Sequence, residues 1–235
     1  MAQFQLFGPD HWAVLLVTAA GIGLLLLNAA AIRRRADDLF VRAGLATVIA
    51  GNEIASWLSA LRAGAVGLPC HLCDLEVVAM TWALLGRNGL IREVAYFWGL
   101  AGSPQAILTP DLWEAFPSAR WITFFLGHGA IVLAAVYLIV RGRVKPNMRS
   151  VWRVWGLTNG YLAVAGILNW TFGSNFGYVA RKPDHPSLLD YLGPWPYYLI
   201  GVELIALGLF FACWGLSRVV DRMVGESRSV TASSA

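Results

Sequence analysis

What this chain lacks most is charge. Of its 235 residues, 18 are Lys or Arg and 14 are Asp or Glu, so charged side chains make up 14% against 57% hydrophobic ones. A soluble domain carries about a quarter charged residues, so the deficit excludes an ordinary soluble fold and points to a protein of the bilayer. Cysteine is scarce too, at three residues, which excludes a disulfide-built secreted scaffold. There is no internal repeat, no haem-attachment motif and no second Cys-x-x-Cys pair. No two histidines share metal-ligand spacing on one helix, so zinc is only weakly signalled and no cofactor is expected. No basic residue precedes the first apolar block, which is long enough to span, so a cleavable signal peptide is not expected. The net charge of +4 does not imply nucleic acid, because the basic residues lie in short loops between apolar blocks.

What is present is a series of apolar blocks long enough to cross about 30 Å of hydrocarbon, roughly 20 residues each. They predict an all-α membrane protein, a bundle of seven transmembrane helices forming one domain over residues 1–222. A Ser/Arg-rich tail over residues 223–235 reads as disordered. The first span is His11 or Trp12 to Ile32, closed by Arg33-Arg34-Arg35, and the second runs from about Leu39 to Leu61. The third extends from Pro69 to Arg87, and the fourth begins near Leu90 and is broken by Gly99, Gly102 and Pro104. The last three are Ala119–Val140, Val151–Phe172 and Trp195–Leu216. With the amino terminus outside, fourteen Lys/Arg fall on the cytoplasmic side and only Arg62, Arg120, Arg181 and Lys182 on the other. That bias predicts an external N-terminus, a cytoplasmic C-terminus and a multi-pass place in the cell membrane, the inner membrane of a bacterium.

Polar residues gather at one depth. At ~1.5 Å rise per residue, Glu53 and Glu203 lie a similar distance below the outer surface, His128 about 15 Å down and Cys73 roughly 5–10 Å down. Asn52, Gln105, Asp111, Asn169 and Asn175 belong to the same outer half, whereas the inner half offers little beyond Asn28, Glu93 and Asn159. Ionisable groups in hydrocarbon are costly and usually face a protein interior or a wet cavity, so a cavity open to the outer leaflet is expected. Taken singly, Asn52 or Asn169 also reads as interhelical glue. Trp113, Phe116, Trp121, Trp195, Tyr197 and Tyr198 read first as an interfacial belt.

The densest group of reactive side chains is Leu68-Pro69-Cys70-His71-Leu72-Cys73-Asp74, where a loop turns into a hydrophobic helix. Cys73 falls in the first helical turn, where exposed N–H groups and the dipole favour a nucleophilic thiolate. His71 is too close in sequence to be aimed at it, so His128 on another span is the better base, with Asp74 or Asp111 to orient either ring. Asn169, Gln105 and His71 are candidate oxyanion donors. Two other classes stay open. Glu53, Glu203 and Asn169 would serve as ligands in a non-enzymatic protein that binds or moves a small solute. Cys70 and Cys73 also have the spacing of a thiol–disulfide redox pair. Cys213 reads as an inert packing residue.

Several motifs carry a resemblance. Leu68-Pro69-x-His71-Leu72-Cys73 is followed by Tyr96-Phe97-Trp98-Gly99-Leu100, Pro104-Gln105-Ala106 and Thr109-Pro110-Asp111-Leu112. Phe124-Phe125-x-x-His128-Gly129, Asn169 with Gly173-Ser174-Asn175, and Gly193-Pro194-Trp195-Pro196 complete the set. Together they resemble the bacterial YwaF-type integral membrane proteins. That family is similar to an animal transmembrane acyltransferase that moves polyunsaturated acyl chains onto ether lysophospholipids with a cysteine and a histidine. The matching positions are Cys73 and His128. More distant androgen-induced membrane hydrolases use a hydroxyl nucleophile and a histidine on lipid esters. The resemblance therefore implies a lipid acyltransferase or acyl-ester hydrolase whose partners are membrane phospholipids or lysophospholipids. Cys70 departs from the pattern, since the family usually has an apolar residue there.

Overall fold

The computed structural model describes residues 3–64, 67–183 and 187–233. Helix α1 (Pro9–Leu27) opens with proline in its first turn, where a missing N–H costs nothing. It stops at Asn28, whose amide donates to the Leu24 carbonyl at 2.8 Å, and α2 (Ala29–Arg34) resumes the path. The single span expected to run to Ile32 is thus divided at an asparagine that satisfies the freed backbone itself. α3 (Leu39–Arg62) follows. α4 (Leu72–Leu85) is shorter at both ends than the stretch expected from Pro69 to Arg87. α5 (Gly89–Ala101) passes through Gly99 and breaks at Gly102, after which Pro104 sits in the first turn of α6 (Ser103–Leu108). α7 (Ala119–Val140) is capped by Ser118, whose hydroxyl accepts from Trp121 N at 3.1 Å. α8 (Met148–Phe172) is capped by Asn147 and ends at Gly173, whose φ of 65° suits a residue without a Cβ. α9 (Tyr197–Ser233) continues as helix over residues 223–233, where disorder is expected from composition. Among the described residues there is no strand, only an isolated bridge between Gln3 and Glu114.

Three helices, Pro9–Leu27, Ala119–Val140 and Tyr197–Gly225, are long and apolar enough to cross a membrane. α4 and α5, with 14 and 13 residues, reach only about 20 Å each. α7 is the central helix: α1, α3, α4, α5, α6 and α9 all pack against it, and Ala130–Val140 is almost wholly buried. Outward-facing Leu16, Val17, Leu27, Phe40, Ile167, Trp170 and Leu204 are exposed. So many bare apolar side chains suit hydrocarbon rather than water.

The two ends of the bundle differ. At one end arginines close the helix termini. Arg33 donates to the Val140 and Ile139 carbonyls at the end of α7, at 2.5 and 2.6 Å, and pairs with Asp221 at 3.0 Å. Arg42 donates to the Leu84 carbonyl and Arg92 to Ala83 and Gly86, at the end of α4. Asp38 is 2% exposed and receives Arg42, Arg141 and Arg143 together with the Tyr137 hydroxyl. Burial alone raises the Asp38 pKa, but the three guanidiniums outweigh it and hold the carboxyl well below the usual range. The opposite end collects the start of the chain and the proline-rich loops: Phe4 N donates to Trp113 O at 2.8 Å and His11 meets the Ile107 carbonyl at 2.7 Å.

Candidate functional site

Cys73 lies at that second end, in the first turn of α4. Asp74 accepts from the His71 backbone N–H at 2.8 Å, closing the helix start as an acid at the third helical position can. The Tyr161 hydroxyl donates to the Cys70 carbonyl at 2.9 Å, tying the preceding loop to α8. The His71 ring meets Phe176 edge-on with centroids 5.3 Å apart. Cys70 is half-buried, Cys73 exposed and Cys213 buried, and all three are free thiols. The charged groups acting on Cys73 are carboxyls: Glu76 one turn below it, Asp74 beside it and Glu53 from α3.

Glu76 was not singled out from the sequence as a site residue, yet it is the most buried acid of this cluster, 2% exposed. Its donor is the Ser103 hydroxyl, 3.3 Å and 3.2 Å from its two oxygens, and Ser103 is 1% exposed. Gly99 makes the approach possible, because a Cβ there would come within 3.2 Å of Glu76 Oε1 and 3.1 Å of Ala135 Cβ. The signal was available: a lone acid inside the apolar run from Leu75 to Leu85 needs a protein partner.

His128 sits on α7. Its Nδ1 lies 2.8 Å from the Phe124 carbonyl, one turn back. A carbonyl only accepts, so Nδ1 carries the proton and Nε2 keeps its lone pair. Nε2 is buried and has no hydrogen-bond partner among the described residues. The ring rests on Phe124 with centroids 4.4 Å apart. Asn52 braces the same segment, donating to the Thr123 carbonyl at 2.9 Å, and a Cβ at Gly127 would come 2.6 Å from Asn52 Nδ2. α4 packs on α7, while the His128 side chain's hydrogen bond is to Phe124 and not to Cys73. Gln105, on α6 against α7, also leaves a buried oxygen without a donor.

The remaining candidates have local partners. Asn169 is a loop clamp: its amide donates to the Phe176 carbonyl at 2.9 Å, and its oxygen accepts from Phe176 N at 2.6 Å and Ser174 Oγ at 2.9 Å. Asn175 brackets Arg181 in the same way. Asp111 accepts from the Tyr178 hydroxyl at 2.9 Å. Glu203 accepts from Asn159 at 3.0 Å. That pair brings together residues expected in opposite halves of the bundle, because a depth reckoned from helix ends errs by about a turn. Among the described residues no three His, Cys, Asp or Glu side chains form a metal-ligand set.

A family model, the TMEM164 family, matches residues 6–214, which takes in every candidate above. The chain belongs to the TMEM164 family. No curated protein and no solved structure matches it. TMEM164 membership and the three span-length apolar helices agree that this is a membrane protein.

Proposed function

We propose that this TMEM164-family chain is a multi-pass membrane enzyme that transfers or hydrolyses lipid acyl groups. In this reading it crosses the bilayer seven times, its arginine-closed end is cytoplasmic, and Cys73 faces the outer leaflet of a bacterial-type inner membrane. The observation that carries the proposal is the state of His128. A buried imidazole with Nδ1–H held by a carbonyl and a free Nε2 lone pair is the form a general base requires. An exposed thiol lies at the start of a helix packed on the same central element.

In the first half-reaction the Cys73 proton passes to His128 Nε2, directly or through one water, as sulfur attacks the acyl carbonyl. The ester C–O bond breaks, a thioester forms, and the imidazolium returns its proton to the departing lysolipid oxygen. In the second half, an acceptor hydroxyl from a lysolipid or from water loses its proton to Nε2 and attacks the thioester, releasing the thiol. Gln105 and His71 remain candidates to bind the oxyanion. Asn169 has both ends of its amide already engaged by the Ser174–Phe176 loop.

Purified protein in vesicles of phospholipid and lysophospholipid, with one acyl chain radiolabelled, supplies the test. Cys73→Ala and His128→Gln are each expected to lower acyl release and transfer by about 100- to 10,000-fold. Full turnover by Cys73→Ala removes the thioester route. Turnover absent from the native protein, with solute uptake that Glu53→Gln abolishes, replaces the enzyme with a solute carrier.

A further inference from the structure

At the arginine-closed end, a cavity of about 410 Å³ opens between the α7–α8 loop and α9. It is lined by Lys145, Pro146, Asn147, Arg218, Asp221 and Arg222. Its three cations differ from the arginines around them. Arg33, Arg42, Arg92, Arg141 and Arg143 are engaged by helix-end carbonyls or by Asp38 and Asp221. The cavity's one acid, Asp221, is already held by Arg33 through both terminal guanidinium nitrogens at 3.0 Å. No described carboxylate lies within ion-pair distance of Lys145, Arg218 or Arg222.

Leaving these three side by side costs energy. Arg218 and Arg222 are four residues apart on α9, so they share a face, and like charges at that spacing destabilise a helix by some tenths of a kcal/mol. Lys145 adds a third positive charge from a second segment. That segment is fixed in place: Arg141 and Arg143 on one side are anchored to Asp38, Val144 and Pro146 are buried, and Asn147 caps α8. A cavity that gathers cations with no described ion-pair partner on a rigid frame is built for a multivalent anion. A basic pocket between helices at a membrane surface matches a phosphate group.

We infer that the cavity lined by Lys145, Arg218 and Arg222 binds a phosphate group, carried by an anionic lipid headgroup or free in solution. The site is at the opposite end of the bundle from Cys73 and does not depend on the chemistry proposed there. Bound phosphate links the α7–α8 loop to α9, two segments that also share the apolar cluster of Val144, Val220 and Val224.

Native mass spectrometry of the full chain in detergent tests the inference. The protein is titrated with phosphatidylglycerol, with phosphatidylcholine and with inorganic phosphate alone. The native protein is expected to retain phosphatidylglycerol over phosphatidylcholine, and Lys145→Gln, Arg218→Gln and Arg222→Gln to weaken that preference about fivefold for each cation removed. Arg34→Gln with Arg35→Gln removes two exposed charges from the same end but outside the cavity, and is expected to leave the preference unchanged. Retention of inorganic phosphate that the cavity variants abolish assigns the site to a free phosphate. Displacement of phosphatidylglycerol only by other anionic lipids assigns it to a headgroup. The inference is overturned if neither ligand is retained, if the cavity variants retain them as the native chain does, or if the Arg34/Arg35 variant loses as much.

Discussion

The two ends of the bundle handle polar groups in opposite ways. At the arginine-closed end the buried charge is paired and the helix-end carbonyls are capped: Asp38 takes three guanidiniums and a phenol, and the last carbonyls of α4 and α7 are met by Arg42, Arg92 and Arg33, although Thr81 Oγ1, Trp155 Nε1 and Trp214 Nε1 in the same half have no described partner. At the Cys73 end, His128 Nε2 and Gln105 Oε1 are buried without partners, and Glu76 rests on one serine hydroxyl. The first arrangement lowers the free energy of the fold. The second leaves the proton-accepting nitrogen of a buried histidine unused, and a titratable group so placed is what the proposed chemistry requires. Removing a side chain at the first end should therefore cost stability and spare turnover, and the reverse should hold at the second.

Asp38→Ala is the largest expected break in stability. It leaves Arg141 and Arg143 facing each other without their counter-charge, and loss of one member of such a buried cluster costs about 3–5 kcal/mol. Denaturant titration in detergent measures this, and turnover per folded molecule should stay near native. A loss of turnover with unchanged stability would reverse the assignment of the two ends. The pH dependence has a definite sign. The folded pKa of Asp38 lies below its ordinary 3.8, so the stabilisation is fully present above that value and fades as pH falls below it toward the lowered one. The stability difference between the native protein and Asp38→Asn should therefore shrink below pH ~4 and stay constant from there to neutrality.

The helices were legible because apolar blocks and breakers act locally. α7 was read to the residue, and the interruption at Gly102 and Pro104 followed from backbone chemistry alone. The break at Asn28 was missed because an asparagine inside an apolar run has no fixed local meaning until its partner, the Leu24 carbonyl, is known. The arginines were read as markers of orientation. That they also cap helices depends on which loops meet in space, which spacing along the chain does not encode. At the site, Cys73 and His128 stood out by residue type. Glu76 did not, because its role depends on Ser103 and Gly99 from α5 and α6, reached only after the chain turns back at Asn88.

A smaller effect is expected at Ser103. Replacing it with alanine strips the buried Glu76 carboxyl of its hydroxyl donor, and a buried acceptor so orphaned costs about 1–3 kcal/mol. Glu76→Leu in the same background should recover part of the loss, since the group left unsatisfied is then gone. If Ser103→Ala changes nothing, another donor serves the carboxyl, and the two ends are less different than their hydrogen bonds imply.

The smallest expected change sharpens the comparison most locally. Tyr161→Phe removes one hydroxyl, the donor to the Cys70 carbonyl. A single neutral hydrogen bond contributes about 0.5–1.5 kcal/mol, so the fold should survive with a minor loss. Its effect should appear in the loop. Cys70 is half-buried and Cys73 exposed, so in the native protein a maleimide probe mapped by peptide mass should label Cys73 faster. Freed from α8, the Cys70 segment should open and its labelling rise toward that of Cys73. Equal labelling in the native protein would mean that the hydroxyl does not restrain the loop, and that Cys73 is presented by the α4 helix start alone.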